Sequence, residues 1–117
     1  MTIEIDKYYL VSKILLGINL KLFLQNHLDN NDRKVLELKE VVGIIENSLN
    51  KEQLKILRID DNGNSYAHDL SLRLQNAEIK TFKEVFIFTD ANCVNYCFRA
   101  SARSVDFRDW TQNDIWL

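Results

Sequence analysis

The chain has 117 residues, 46% of them apolar, with 15 basic and 17 acidic side chains and a formal net charge of -2. That length predicts a single globular domain over residues 1–117, and the apolar content excludes a disordered tail. Near-neutral, mixed charge removes the usual electrostatic reason to bind nucleic acid or a membrane surface, and two cysteines with an acidic start (MTIEIDKYY) favour a reducing cytoplasm without a secretory leader.

Asp6 is placed to cap a helix from Lys7 to Leu28. Leu10, Val11, Ile14, Leu15, Ile18, Leu22 and Phe23 recur there at spacings of three and four. A rival alternation runs through the Ile14 to Leu24 stretch, in which Ile14, Leu16, Ile18, Leu20, Leu22 and Leu24 would share one face of a strand. Strong helix formers and the length of the stretch favour the helix. Such a helix is apolar on most sides, so it sits in the core or packs against a second copy of the chain. Ser12, Lys13, Asn19 and Lys21 interrupt it too often for a membrane span.

Asp29-Asn30-Asn31-Asp32 reads as a turn, and Arg33 to Leu49 as an amphipathic helix with Val35, Leu38, Val41, Val42, Ile45 and Leu49 on one face. Ser48 or Asn50 then caps a short third helix reaching Leu57, with a strand from Lys55 to Ile59 as the alternative. Asp60-Asp61-Asn62-Gly63-Asn64 is a strong hairpin-turn signal. Tyr66, His68, Leu70, Leu72 and Leu74 alternate with Ala67, Asp69, Ser71, Arg73 and Gln75, as in a strand with one apolar face.

Thr81 to Arg99 reads as the central hairpin of a sheet. Val85 to Phe88 is a run of β-branched and aromatic residues, the pattern of a strand buried on both faces. Asp90 and Asn92 supply the turn. In the second arm Val94, Tyr96, Phe98 and Ala100 are expected on one face. Val105 and Phe107 suggest a last strand, with Trp110 and Trp116 folding back onto the sheet or the first helix. The predicted fold is α+β, with two or three N-terminal helices on a mostly antiparallel sheet of about four strands.

Chemistry-bearing residues are few. Cys93 and Cys97 could join His27 and His68 around zinc, but residues four apart on a strand lie about 13 Å apart and cannot chelate one ion. His68 with a cysteine or an aspartate is the one nucleophile pair on offer, the basis of an alternative reading as a small hydrolase or nuclease; no helix start or glycine-rich turn adjoins either thiol. Asp60, Asn62 and Asn64 have calcium-loop spacing, but Ser71 stands where a bidentate glutamate is needed. Glycines at 17, 43 and 63 cannot build a phosphate-binding loop, so neither cofactor nor metal is expected. Tyr66-Ala67-His68-Asp69-Leu70 resembles the His-Asp-Leu helix start of some HEPN domains; the Arg-x4-6-His motif of that group is absent, so the likeness carries no site across.

Arg99, Arg103 and Arg108 interleave with Tyr96, Phe98, Phe107 and Trp110, a mixture that can stack single-stranded nucleic acid. Asp106, Asp109 and Asp114 among them would repel phosphate, and the mixture suits a protein interface better. The expected function is non-catalytic protein binding, in its concrete form an immunity protein or inhibitor that covers the active surface of a bacterial toxin or other effector. Asp60, Asp61, Asp106, Asp109 and Asp114 would pair with a basic partner, such as a nuclease domain, around Trp110 or Trp116 as anchor.

Overall fold

The computed structural model describes residues 1–47, 49, 53–61 and 82–114. Its elements are β1 (Thr2–Glu4), β2 (Tyr8–Leu16), β3 (Asn19–Asn26), β4 (Arg33–Glu46), β5 (Ile56–Asp60), β6 (Lys83–Phe88), β7 (Tyr96–Asp109) and a 3-10 turn at Gln112–Asp114. All seven strands join one antiparallel sheet in the order β1-β5-β6-β7-β4-β3-β2. The α+β expectation does not hold, since the 3-10 turn is the one helical element among the described residues. The helix expected over Lys7 to Leu28 is the β2–β3 hairpin, and with it goes the proposed helical contact with a second copy. The helix expected over Arg33 to Leu49 is β4. The strand expected from Tyr66 to Gln75, which includes His68, lies outside the described residues, as do Ser48 and Asn50, the caps proposed for the third helix.

Both corrections have local causes. In the first, Leu16 pairs with Asn19 across a two-residue loop, Gly17-Ile18. Gly17 has φ +63°, and the positive value at the first loop position is that of a type II′ turn, whose twist matches the flanking strands. In β4 the cause is a kink. Glu40 has φ 53° and donates its N–H to Asn19 Oδ1 (3.1 Å), while the register with β7 shifts between Val41 and Gly43. Before the kink both faces of β4 are buried, Val35 beside Phe23 on the outer face and Leu36 and Leu38 in the core, and past it Val41 packs on the core, so apolar residues recur at helical spacing on a strand.

β1 and β2 lie at opposite ends of the strand order, yet only Ile5, Asp6 and Lys7 connect them. Four Cα steps span at most about 15 Å, whereas seven flat strands would measure about 29 Å across. The sheet is therefore rolled, and its inner face encloses the core. Leu20, Leu22 and Leu24 of β3 meet Leu36 and Leu38 of β4, Val85 and Ile87 of β6, and Phe98, Ala100 and Ala102 of β7. The central hairpin is present as β6 and β7, with Ile87 opposite Phe98. Its second arm differs in detail. A register shift at Ile87/Phe88 puts Tyr96 on the outer face beside Phe86, opposite to Phe98 and Ala100, and Val94 stands exposed in the loop.

Candidate functional site

Three parts of the outer surface carry side chains that could recognise something: the aromatic face of β5–β6–β7, the segment after β7, and the edge made by β2. On the first, Phe86 and Phe88 stack with ring centroids 5.5 Å apart, and the Arg58 and Arg99 guanidinium groups lie 4.5 and 4.9 Å from the Phe86 centroid. Phe86 is 7% exposed and Phe88 3% exposed, so neither ring is open to a stacking base. Cys93 sits in the loop at φ 58°, while Cys97 is a buried strand residue whose thiol donates to Ile87 O (3.5 Å). Among the described residues no group of three or more His, Cys, Asp or Glu side chains is arranged to hold a metal ion.

The second part gathers four of the seven residues expected at a partner surface: Asp106, Asp109, Trp110 and Asp114. The chain leaves β7, donates Trp110 N–H to Arg33 O (3.2 Å), and lays the indole on Phe23 of β3 with centroids 4.8 Å apart. The 3-10 turn then buries Asp114. Arg108 donates to both of its carboxylate oxygens (2.5 and 2.8 Å), Lys21 Nζ donates to its backbone oxygen (2.9 Å), and Thr111 N–H donates to Oδ2 (2.8 Å). Glu37 approaches both cations, at 3.6 Å from Lys21 and 3.4 Å from Arg108. The Arg108 guanidinium, helped by Thr111 N–H and Lys21, holds the Asp114 carboxyl well below the usual carboxylate range against the opposing cost of its burial. Asp114 is thus committed inside the molecule. Asp106 is occupied by Arg108 (3.1 Å) and Asp109 by Lys34 (2.5 Å).

Asp60 and Asp61 lie elsewhere, at the far end of β5, where Arg58 and Lys83 face them at 3.4 and 3.5 Å. Asp60 pairs with Glu84, and Glu84 with Ser101. Asp106 lies five residue steps along β7 from Ser101, about 17 Å of strand. The structure therefore divides the acidic set in two. Trp116 lies outside the described residues.

The third part is one that sequence reasoning found only as excess apolarity. Among the described residues β2 pairs with β3 and with no other strand, so nine residues of edge turn alternate backbone groups outward. The edge carries one charge, Lys13, and that ammonium is paired with Glu46 of β4. Its apolar side chains stay in solvent: Leu15 is 59% exposed, Leu16 58% and Ile18 60%. Beside the hairpin tip β4 runs on past its kink, and Leu15, Ile18, Val41, Val42 and Ile44 line a shallow depression of about 270 Å³. The signal was the run YYLVSKILLGI, too apolar for one buried face. Single exposed apolar residues need no explanation, but a contiguous group on an unpaired strand edge marks an interaction surface.

Comparison of the chain with protein-family models, with curated proteins and with solved structures finds no match.

Proposed function

We propose that the chain is a non-catalytic protein-binding module that docks its partner along β2 and the β2–β3 hairpin tip. The observation that supports this is the long, nearly uncharged edge strand with exposed Leu15, Leu16 and Ile18 beside an apolar depression. A partner strand added to β2 would satisfy its outward backbone groups, and the depression would take an apolar side chain. In its finer form the proposal is an inhibitor or immunity protein that covers the working surface of a toxin or other effector in the cytoplasm, a reducing compartment that suits a chain whose two cysteines are Cys93 and Cys97. The expected acidic anchors move to a secondary place, because Asp60, Asp61, Asp106 and Asp109 all face cations of their own chain within 4 Å. Among the described residues no helix is long and apolar enough to cross a membrane.

The test is retention of a stoichiometric partner from lysate of the source cells by the wild-type chain and by the double variant Leu15→Lys/Ile18→Lys. The expected result is loss of the partner with an unchanged circular dichroism spectrum, together with slowed hydrogen exchange of β2 amides in the wild-type complex. Undiminished retention by the folded double variant would remove β2 as the docking edge.

A further inference from the structure

We propose that a small recess beside Trp110, at the other end of β3 and β4, binds a carboxylate carried on an apolar body. Arg33, Trp110, Thr111 and Gln112 line a cavity of about 250 Å³. That is below the range of drug-sized ligand pockets and suits one small molecule or one terminal residue of a peptide. Gln25 and Tyr9 stand in register with Arg33, and seven residues of β2, about 23 Å, separate Tyr9 from the hairpin tip. The recess is thus independent of the β2 edge.

Three observations point to the ligand. The Arg33 guanidinium lies 5.0 Å from the centroid of the Trp110 ring, and among the described residues no carboxylate pairs with it. The acids that adjoin this pair in sequence, Asp32 before Arg33 and Asp109 before Trp110, are already engaged: the Tyr8 hydroxyl (2.6 Å) and the Asn26 amide (3.0 Å) both donate to Asp32, and Asp109 holds Lys34. Arginine stacked on an indole keeps its planar fork free at the edge, the geometry that takes a carboxylate through two parallel hydrogen bonds. Second, Trp110 Nε1–H is buried and has no acceptor among the described residues, a donor left unmade at a cost. Third, the indole is immobilised on Phe23 and offers an apolar wall beside the cation.

A phosphate fits less well. A dianion calls for more positive charge than one guanidinium, and the basic residues close by in sequence, Lys34 after Arg33 and Arg108 before Trp110, are neutralised by Asp109 and Asp114. Asp32 and Asp109, which adjoin Arg33 and Trp110 in sequence, also add negative potential, which weighs more heavily on a dianion than on a monoanion.

The experiment is a titration of the folded, isotope-labelled full chain with sodium benzoate, its neutral isostere benzamide, and inorganic phosphate, read at the Trp110 indole N–H in proton–nitrogen correlation spectra. Trp116→Phe assigns the two indole signals. The expected result is a saturable shift with benzoate and none with benzamide or phosphate. Arg33→Lys, which keeps the charge and loses the fork, should weaken benzoate about tenfold or more, and Arg33→Gln should abolish the shift while the rest of the spectrum stays dispersed. An equal response to benzamide, an equal response to phosphate, a shift that never saturates, or a wild-type response from Arg33→Gln would each overturn the assignment.

Discussion

Two ends of the same three strands, β2, β3 and β4, solve one problem differently. Each end has apolar side chains on more than one face, which a single rolled sheet cannot bury. At the end marked by the Tyr9–Gln25–Arg33 row, the chain leaving β7 crosses the outer face of β3 and covers it, so Phe23 and Val35 are as buried as the core. At the other end, around the Gly17-Ile18 loop, nothing among the described residues covers Leu15, Leu16 and Ile18. Apolar content alone did not decide which stretch is interior. A second layer at one end decided it, and that layer is held by charges. Lys21 is 3% exposed on the outer face of β3 and is tolerated there because Asp114 and Glu37 come to it.

The comparison breaks most visibly if the covering segment is released. Asp114→Asn keeps the side chain's shape and removes its charge, leaving Arg108 and Lys21 with Glu37 and, for Arg108, Asp106. Charge-assisted hydrogen bonds to a buried carboxylate set the scale, so the loss of unfolding free energy at neutral pH should be about 2–3 kcal/mol, read from urea midpoints at constant m-value. The same variant fixes the pH signature. The Asp114 pKa is depressed in the folded chain, chiefly by Arg108, so its contribution is complete above the unfolded-state value of about 3.9 and fades as pH falls below it. Wild-type and Asp114→Asn stabilities should differ by a constant amount above about pH 5 and draw together progressively as pH falls below about 4, through the whole interval down to the depressed folded-state value. A gap that persisted at low pH would mean that the amide disturbs packing and that the charge is secondary.

How much of this was legible follows from where each signal lives. The central hairpin was readable because Val85 to Phe88 is β-branched and aromatic with turn residues after it, and such a signal is local. The fold-back of Trp110 was readable because a large aromatic after the last strand needs a surface to cover. The β2–β3 hairpin was misread as a helix because its one turn glycine stands beside Ile18, which is not a turn former, and because both faces of β3 are buried, which erases the period of two. The rival alternation through Ile14 to Leu24 had the right kind of backbone but read one strand where the chain turns at Gly17-Ile18 and makes two. Leu15 stands opposite Leu20 across that loop, so Ile14 and Leu16 lie on the other side from Leu20, Leu22 and Leu24. In β4 the kink at Glu40 brought Val41 to the face of Leu38, a spacing of three, while Val35 was buried on the opposite face. The clustering of Lys21, Glu37, Arg108 and Asp114 brings together residues up to 93 positions apart and has no sequence signal at all.

At the uncovered end the sensitivities should be smaller and of another kind. Gly17→Ala is the largest of them. An added Cβ meets nothing within 4 Å, so no packing is lost, and the cost comes from holding an L-residue at φ +63°. That cost is about 1 kcal/mol, and Gly17→Asn, which tolerates the left-handed region better, should recover part of it. An alanine cost well beyond this would show that the hairpin tip is packed against something in the folded chain.

Leu16→Ser sharpens the contrast at its smallest. In a core strand a leucine truncation costs about 2–5 kcal/mol, but Leu16 is 58% exposed and ends a strand that pairs on one side. Its removal should change the urea midpoint by no more than the equivalent of about 0.5 kcal/mol, and the less apolar tip should leave the chain at least as soluble. The same substitution should weaken capture of a docked partner, because there the leucine passes from water into an interface. Stability and binding then respond to different parts of the molecule: Asp114→Asn unfolds the chain more readily while leaving the β2 edge chemically intact, and Leu16→Ser does the reverse. A large stability loss from Leu16→Ser would instead place the tip against the body of the chain, and its apolar side chains would belong to the fold.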